Sequence, residues 1–231
     1  MLSIIGGTGL FISEIAHGAR LKIVVTKYGP TLIYIKKEFI FIPRHGPKNN
    51  IPPHMINHKA NISAFKKLKA DKIISFTSVG SLKQIIKPGT IVIPDDYINL
   101  YNIQTFFNKG LHFTTPSLDK NLRKKLISIV KKLKLPLKEK GTYVQTTGPR
   151  LETKAEINLL KNYADIIGMT MANEATLAKE LGIPYATISC ADNYANGIVK
   201  KQLTAEQIVE AKKKNAAKLI EIFSSIIKQL S

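Results

Sequence analysis

Residues 2–14 read LSIIGGTGLFISE: a few positions suited to a short strand, a Gly-Gly-Thr-Gly turn, then apolar positions again. A glycine-rich turn directly after a strand lets backbone approach a ligand or another segment closely. Spacing excludes two common ligands. A dinucleotide fingerprint needs Gly-x-Gly-x-x-Gly, but counted from Gly7 the third position is Ile12, and the second strand region, VVTKYGP, offers no acidic ribose-binding residue. A triphosphate-binding loop needs Gly-Lys-Ser/Thr, whereas Gly9 is followed by Leu10 and Phe11. What remains is a short turn whose amides and Thr8 hydroxyl suit one small oxyanion, or a turn that is purely structural.

Outward from this turn, apolar runs alternate with helical patterns. Residues 21–26, 31–35, 39–43, 72–77, 90–94, 142–146, 166–169 and 185–190 read as strands. Helical patterns fall at 61–69, from 119, at 154–161 and at 173–181, and Thr204 with Gln207 has the spacing of a capping box that opens a last helix. This order predicts an α/β protein with a mixed central sheet, and 231 residues at 44% hydrophobic content suit a single domain spanning 1–231.

Thirty-five basic against 16 acidic residues give a formal charge of +19. The excess is mostly lysine on helical segments such as DKNLRKKLISIVKKLK, where Leu122, Leu126, Ile129, Val130 and Leu133 form an apolar stripe and lysines fill the opposite face. That is a solvated surface that also attracts anionic substrates, not the aromatic–basic interleaving of a nucleic-acid groove. The absence of a membrane-length apolar run or a secretory leader pattern predicts a cytoplasmic protein without a membrane partner. One cysteine, Cys190, excludes an internal disulfide and a thiolate-rich metal site.

Two further stretches bear on the oxyanion. FIPRHGPKNNIPPH sets Arg44 and His45 just past a strand, and SFTSVGSL sets Thr77 and Ser78 past another, followed by Gly80. A guanidinium grips two phosphate oxygens at once, and hydroxyls and amides satisfy the rest. Taken singly, each segment reads better as ordinary structure; three strand ends converging on one anion make a site.

With GGTG, RHG, NIPPHMINHKANISAFKKL and TSVGSL in this order, followed by TTGPRLET, IIGMTMANEATLAKELGIPYATIS and DNYANG, the sequence resembles the trimeric purine nucleoside phosphorylase and 5'-methylthioadenosine phosphorylase family over nearly its whole length. The resemblance implies a partly barrel-like central sheet flanked by helices and a homotrimer or homohexamer. It also implies phosphorolysis of a purine nucleoside to free base and ribose 1-phosphate, with no metal or organic cofactor. Carried over by position, Thr8, Arg44, His45, Thr77 and Ser78 would bind phosphate, Met169 and Thr170 would meet the ribose, and His112 would reach the ribose of a neighbouring subunit. The resemblance is incomplete at Asn49, where relatives often have histidine, and at Ala172-Asn173-Glu174, which replaces valine-proline-glutamate.

The base-binding positions implied by the family are Glu152 and Asn193, with Ala195 beside the latter. A carboxylate accepts from the protonated ring nitrogen of hypoxanthine or guanine but faces a lone pair on adenine, and an asparagine can donate to a 6-oxo oxygen where adenine-selective relatives carry aspartate. Both predict a 6-oxopurine nucleoside; Asp192 is the competing base contact if the loop shifts by one residue. At the 5' end Ala205, near Ile208 and Val209, stands where a histidine would bind a hydroxyl, which predicts an apolar pocket for a methylthio group. 5'-Methylthioinosine, inosine and guanosine are the expected substrates. 5'-Methylthioadenosine phosphorolysis is the alternative, followed at a distance by nucleoside hydrolysis or nucleic-acid binding.

Overall fold

The structure, a computed structural model, describes residues 1–7, 10, 15–200 and 204–231, without the side chains of residues 205 and 207. In chain order the strands are β1 (Leu2–Gly6), β2 (Arg20–Thr26), β3 (Gly29–Ile35), β4 (Phe39–Pro43), β5 (Lys72–Ser81), β6 (Ile91–Val92), β7 (Asp96–Asn99), β8 (Leu137–Lys138), β9 (Thr142–Gln145), β10 (Ile166–Gly168) and β11 (Tyr185–Tyr194). The α-helices among the described residues are α1 (His58–Lys67), α2 (Lys120–Lys132), α3 (Lys154–Leu160), α4 (Met171–Glu180) and α5 (Ala205–Leu230). The short strands β7 and β8 escape the sequence reading because they hold too few residues to show a period.

All eleven strands join one mixed sheet, which forks at β5. β1 lies parallel between β4 and β5, and all five of its residues are buried, as expected of a strand covered on both faces. Ile4 packs into one apolar layer with Leu126 of α2 and Leu219, Ile222 and Ile226 of α5. Ile5 faces the other layer, with Ile62 and Phe65 of α1 and Met171 and Leu177 of α4.

β5 changes neighbours along its length. On one edge Lys72–Ser75 pair with β1, while Gly80 and Ser81 pair antiparallel with β10; its other edge carries β11 throughout, with a bulge between Ala191 and Asn193. Between Ser75 and Gly80 no described strand lies against the first edge, and Ser78, Val79 and Gly80 there line a cavity.

Helix termini follow their sequence signals. Asp119 caps α2 by accepting from Leu122 N at 2.7 Å, and Thr153 with Glu156 forms a reciprocal capping box on α3. The capping box expected of Thr204 and Gln207 depends on a side chain outside the described residues. Arg123, unlike the lysines of α2, does not lie on its solvated face. It is buried and donates to the carbonyls of Ile93, Pro94 and Glu139 at 3.0, 2.6 and 2.7 Å.

Candidate active site

The cavity at the fork measures about 410 Å³. The end of β4 delivers Arg44 and His45 to it, and the turn after β1 follows. Arg44 N donates to Gly6 O at 2.9 Å, so the two strand ends are tied together before any side chain is considered. Gly7 must be glycine: a Cβ there would stand 2.6 Å from Arg44 Nη1 and 2.8 Å from the Phe76 carbonyl oxygen. Thr8, the residue expected to add a hydroxyl to this turn, lies outside the described residues.

Arg44 is buried, and most of its donors are committed to the protein. Nε donates to Glu174 Oε1 at 2.5 Å, Nη2 to Ser75 Oγ at 2.5 Å and to Glu174 Oε2 at 3.1 Å, and Nη1 to Phe76 O at 2.9 Å. Burial opposes both charges of this pair, yet each partner's field outweighs it: the guanidinium pKa is raised, and the Glu174 carboxyl is held below its usual range. Ser75 and Tyr185 also donate to Glu174, at 2.9 and 2.8 Å. Glu174 is therefore the residue that fixes Arg44. In the sequence it stands only in the Ala172-Asn173-Glu174 departure from the family pattern.

His45 lines the cavity with its Nδ1 2.8 Å from Ile51 O. A carbonyl only accepts, so Nδ1 bears the proton. Burial first, then the Arg44 charge, lowers the histidine pKa to about 4, which leaves Nε2 an unprotonated acceptor at neutral pH. Asn49, also on the wall, takes a left-handed φ of 51°, a conformation asparagine tolerates better than most residues.

The reading of Thr77 needs correction. β5 does not end there but runs on to Ser81, and strand alternation turns the Thr77 hydroxyl into the core, where it meets Ser189 Oγ at 2.8 Å and Thr187 Oγ1 at 3.4 Å. Ser78 does line the cavity, with its hydroxyl donated to Asp192 Oδ2. Asp192 also accepts from Asn215 Nδ2 at 2.9 Å and is buried, so it is tied into the protein and is not on the cavity wall.

Asn193 and Ala195 are on that wall, as are Glu152, Met169 and Thr170. Thr146 Oγ1 donates to Glu152 Oε1 at 2.5 Å; Oε2 makes no hydrogen bond among the described residues. Asn193 Nδ2 spends one donor on Tyr194 O at 2.9 Å and keeps the other. Met169 and Thr170 are pinned from below: Tyr143 Oη accepts from Thr170 N, and Gln145 Oε1 accepts from Ala172 N at 2.8 Å, so β9 satisfies the first turn of α4. Gly148, at φ 67°, packs on Met169; a Cβ there would be 2.5 Å from its sulfur.

His112, expected to reach a neighbouring subunit's site, stands outside this chain's own cavity: it is exposed, stacks on Phe107 at 4.2 Å and lines a separate pocket with Tyr97 and Lys179. The apolar 5' wall is reduced to Ile208 among the described side chains: Val209 is 53% exposed, and the Ala205 side chain lies outside the described residues. One turn beyond Ile208, Lys212 faces the cavity instead, a residue hidden in the sequence by the lysine run around it.

Among the described residues the arrangement offers fixed donors and acceptors and no activated nucleophile. Cys190 is buried, its thiol pKa pushed well up by burial and then by the Asp192 charge. The cavity brings together Arg44, the His45 acceptor, a free carboxylate oxygen of Glu152 and a free amide hydrogen of Asn193, a set suited to an anion and a polar planar group.

Residues 3–228 match the family model described as the phosphorylase superfamily. A "Probable 6-oxopurine nucleoside phosphorylase" of Archaeoglobus fulgidus is 38% identical over 100% of this chain and 97% of its own length. A "Probable S-methyl-5'-thioinosine phosphorylase" of Methanocaldococcus jannaschii is 41% identical over 98% of this chain and 92% of its own. Among solved structures, methylthioadenosine phosphorylase from Schistosoma mansoni in complex with adenine superposes with a TM-score of 0.88 at 22% identity, covering 98% of this chain and 90% of the other. At that identity the likeness establishes the fold: the α/β architecture forked at β5 is that of the nucleoside phosphorylases. On the family match along nearly its entire length, the chain belongs to the phosphorylase superfamily.

Proposed function

We propose that this protein is a purine nucleoside phosphorylase acting on 6-oxopurine nucleosides, inosine, guanosine or 5'-methylthioinosine, with inorganic phosphate as co-substrate and no metal or organic cofactor. The observation that carries the base preference is that Glu152, with a free carboxylate oxygen, and Asn193, with a free amide hydrogen, line one cavity while Asp192 is tied elsewhere. In this reading Glu152 accepts from the protonated purine ring nitrogen, Asn193 donates to the 6-oxo oxygen, and Met169 and Thr170 bear on the ribose. His45 Nε2 accepts from the hydroxyl of singly protonated phosphate. As the glycosidic bond stretches, the sugar becomes cationic and the departing purine anionic. Bound phosphate stabilises the first and Asn193 the second, so catalysis is electrostatic placement.

The same reading includes a homotrimer or homohexamer in the cytoplasm, with His112 contributed to a neighbour's site. Two exposed apolar faces support assembly: Leu21, Ile23 and Val25 on β2, at 54–64% exposure, and Leu100, Tyr101, Ile103, Leu111 and Phe113 around the second pocket. No helix among the described residues is long and apolar enough to cross a membrane.

A substrate panel tests the function. Methylthioadenosine, methylthioinosine, adenosine, inosine and guanosine are each incubated with and without phosphate. Phosphate-dependent release of hypoxanthine or guanine is expected to exceed adenine release at least tenfold in kcat/KM. Preferential adenine release would assign the methylthioadenosine reaction instead, and base release indifferent to phosphate would assign hydrolysis.

A further inference from the structure

Phosphate carries more than one negative charge at neutral pH, and the cavity's charges do not obviously answer it. Arg44 has four of its five N–H groups on protein acceptors, and its charge is compensated by Glu174. His45 is neutral. Glu152 is a carboxylate. Among the described residues, the remaining ionisable group on the wall is Lys212, in the third turn of α5 and one turn past Ile208.

Among the described residues Lys212 makes no hydrogen bond and has no carboxylate within ion-pairing distance; Asp192, the acid whose field it feels, is held by Ser78 and Asn215. Lys212 enters from α5 on the wall of the cavity that Arg44 and His45 also line, and its charge is felt at His45. A half-buried cation without a partner raises the free energy of the empty site and is relieved by an anion, and the ammonium's long stem lets it follow the ligand.

We propose that Lys212 is a phosphate-binding residue, supplying from the last helix the uncompensated positive charge that Arg44, paired to Glu174, does not. The proposal rests on the phosphorolytic reading, but its test does not depend on turnover alone. Lys212→Met keeps the stem and removes the charge; Lys212→Arg keeps the charge. With inosine saturating, Lys212→Met is expected to raise the KM for phosphate roughly ten- to a hundredfold, with the KM for inosine changed less than about twofold, and Lys212→Arg is expected to recover most of the loss. Independently, phosphate without nucleoside should raise the melting temperature of the wild type and of Lys212→Arg, and do so much less for Lys212→Met. Should Lys212→Met fail to fold, Lys212→Gln takes its place in both assays.

An unchanged phosphate KM and an unchanged phosphate-induced melting shift would overturn the proposal. The same result, combined with an altered preference between inosine and 5'-methylthioinosine, would assign Lys212 to the 5' end of the sugar. A wild type that cleaves no nucleoside with phosphate would overturn the phosphorolytic reading alone, because the melting shift still reports on Lys212.

Discussion

A methyl group is the smallest probe of how tightly the site is assembled. Gly7→Ala forces either the Arg44 guanidinium or the β5 backbone at Phe76 to move. We expect a loss of at least tenfold in kcat/KM for phosphate with a modest fall in melting temperature, checked by initial rates and calorimetry. Asn193→Asp is expected to raise activity on adenosine relative to inosine about tenfold, because a protonated aspartate can donate to adenine's ring nitrogen while accepting from its amino group; the panel of nucleosides reads the ratio. His58 governs a third outcome. It is 2% exposed, its Nδ1 lacks a hydrogen-bond partner, and burial lowers its pKa from 6.5 to about 4. The unfolded chain therefore takes up a proton below pH 6.5 that the folded chain refuses until about pH 4. Stability is full above that window and falls through it on acidification, by on the order of 1 kcal/mol per pH unit. Denaturant melts at pH 7, 6, 5 and 4 should show this slope together with a like share from His45, whose pKa is lowered to about 4 as well, and His58→Gln should remove about half of the total.

At the scale of elements, α2 is held at its start by Arg123 more than by its lysines. Arg123→Met strands three carbonyls between β6 and β9, and an expected cost of about 2–4 kcal/mol would appear as a lower urea midpoint with an unchanged slope. Its neighbours Lys124 and Lys125 are exposed, and their removal should cost less than about 0.5 kcal/mol. Here the limits of sequence reading are physical. The period of Leu122, Leu126, Ile129 and Val130 marks the helix and its buried face, but period does not tell a basic residue that reaches backbone carbonyls from one that reaches water. The same limit hid Lys212 in its lysine run and Glu174 on α4. Thr77 differs for another reason: the sequence places it at a strand end, whereas β5 continues through Gly80, where β10 and β11 pair on both sides. By contrast, Arg44 and His45 were legible from their place just past β4, while Glu152 and Asn193 came from the family resemblance; all four line the cavity.

For the whole molecule, a charge of +19 spread over helix faces predicts weak, diffuse attraction to polyanions. Binding to duplex DNA in 150 mM salt is expected to be undetectable by fluorescence anisotropy at micromolar protein. The exposed apolar faces on β2 and around the second pocket predict an assembly, and light scattering should return three or six times the chain mass of 25.7 kDa; a monomer would refute that expectation.

The ion pair between Arg44 and Glu174 joins residues 130 positions apart, and Ser78 reaches Asp192 across 114. On a ribosome, the N-terminal strands therefore emerge long before the acid that will hold their arginine, and α5, which brings Asn215 to Asp192, emerges later still. The pocket is thus completed only once α5 is made, so ligand competence on refolding should return in the slowest phase and nascent fragments lacking α5 should be unable to hold phosphate.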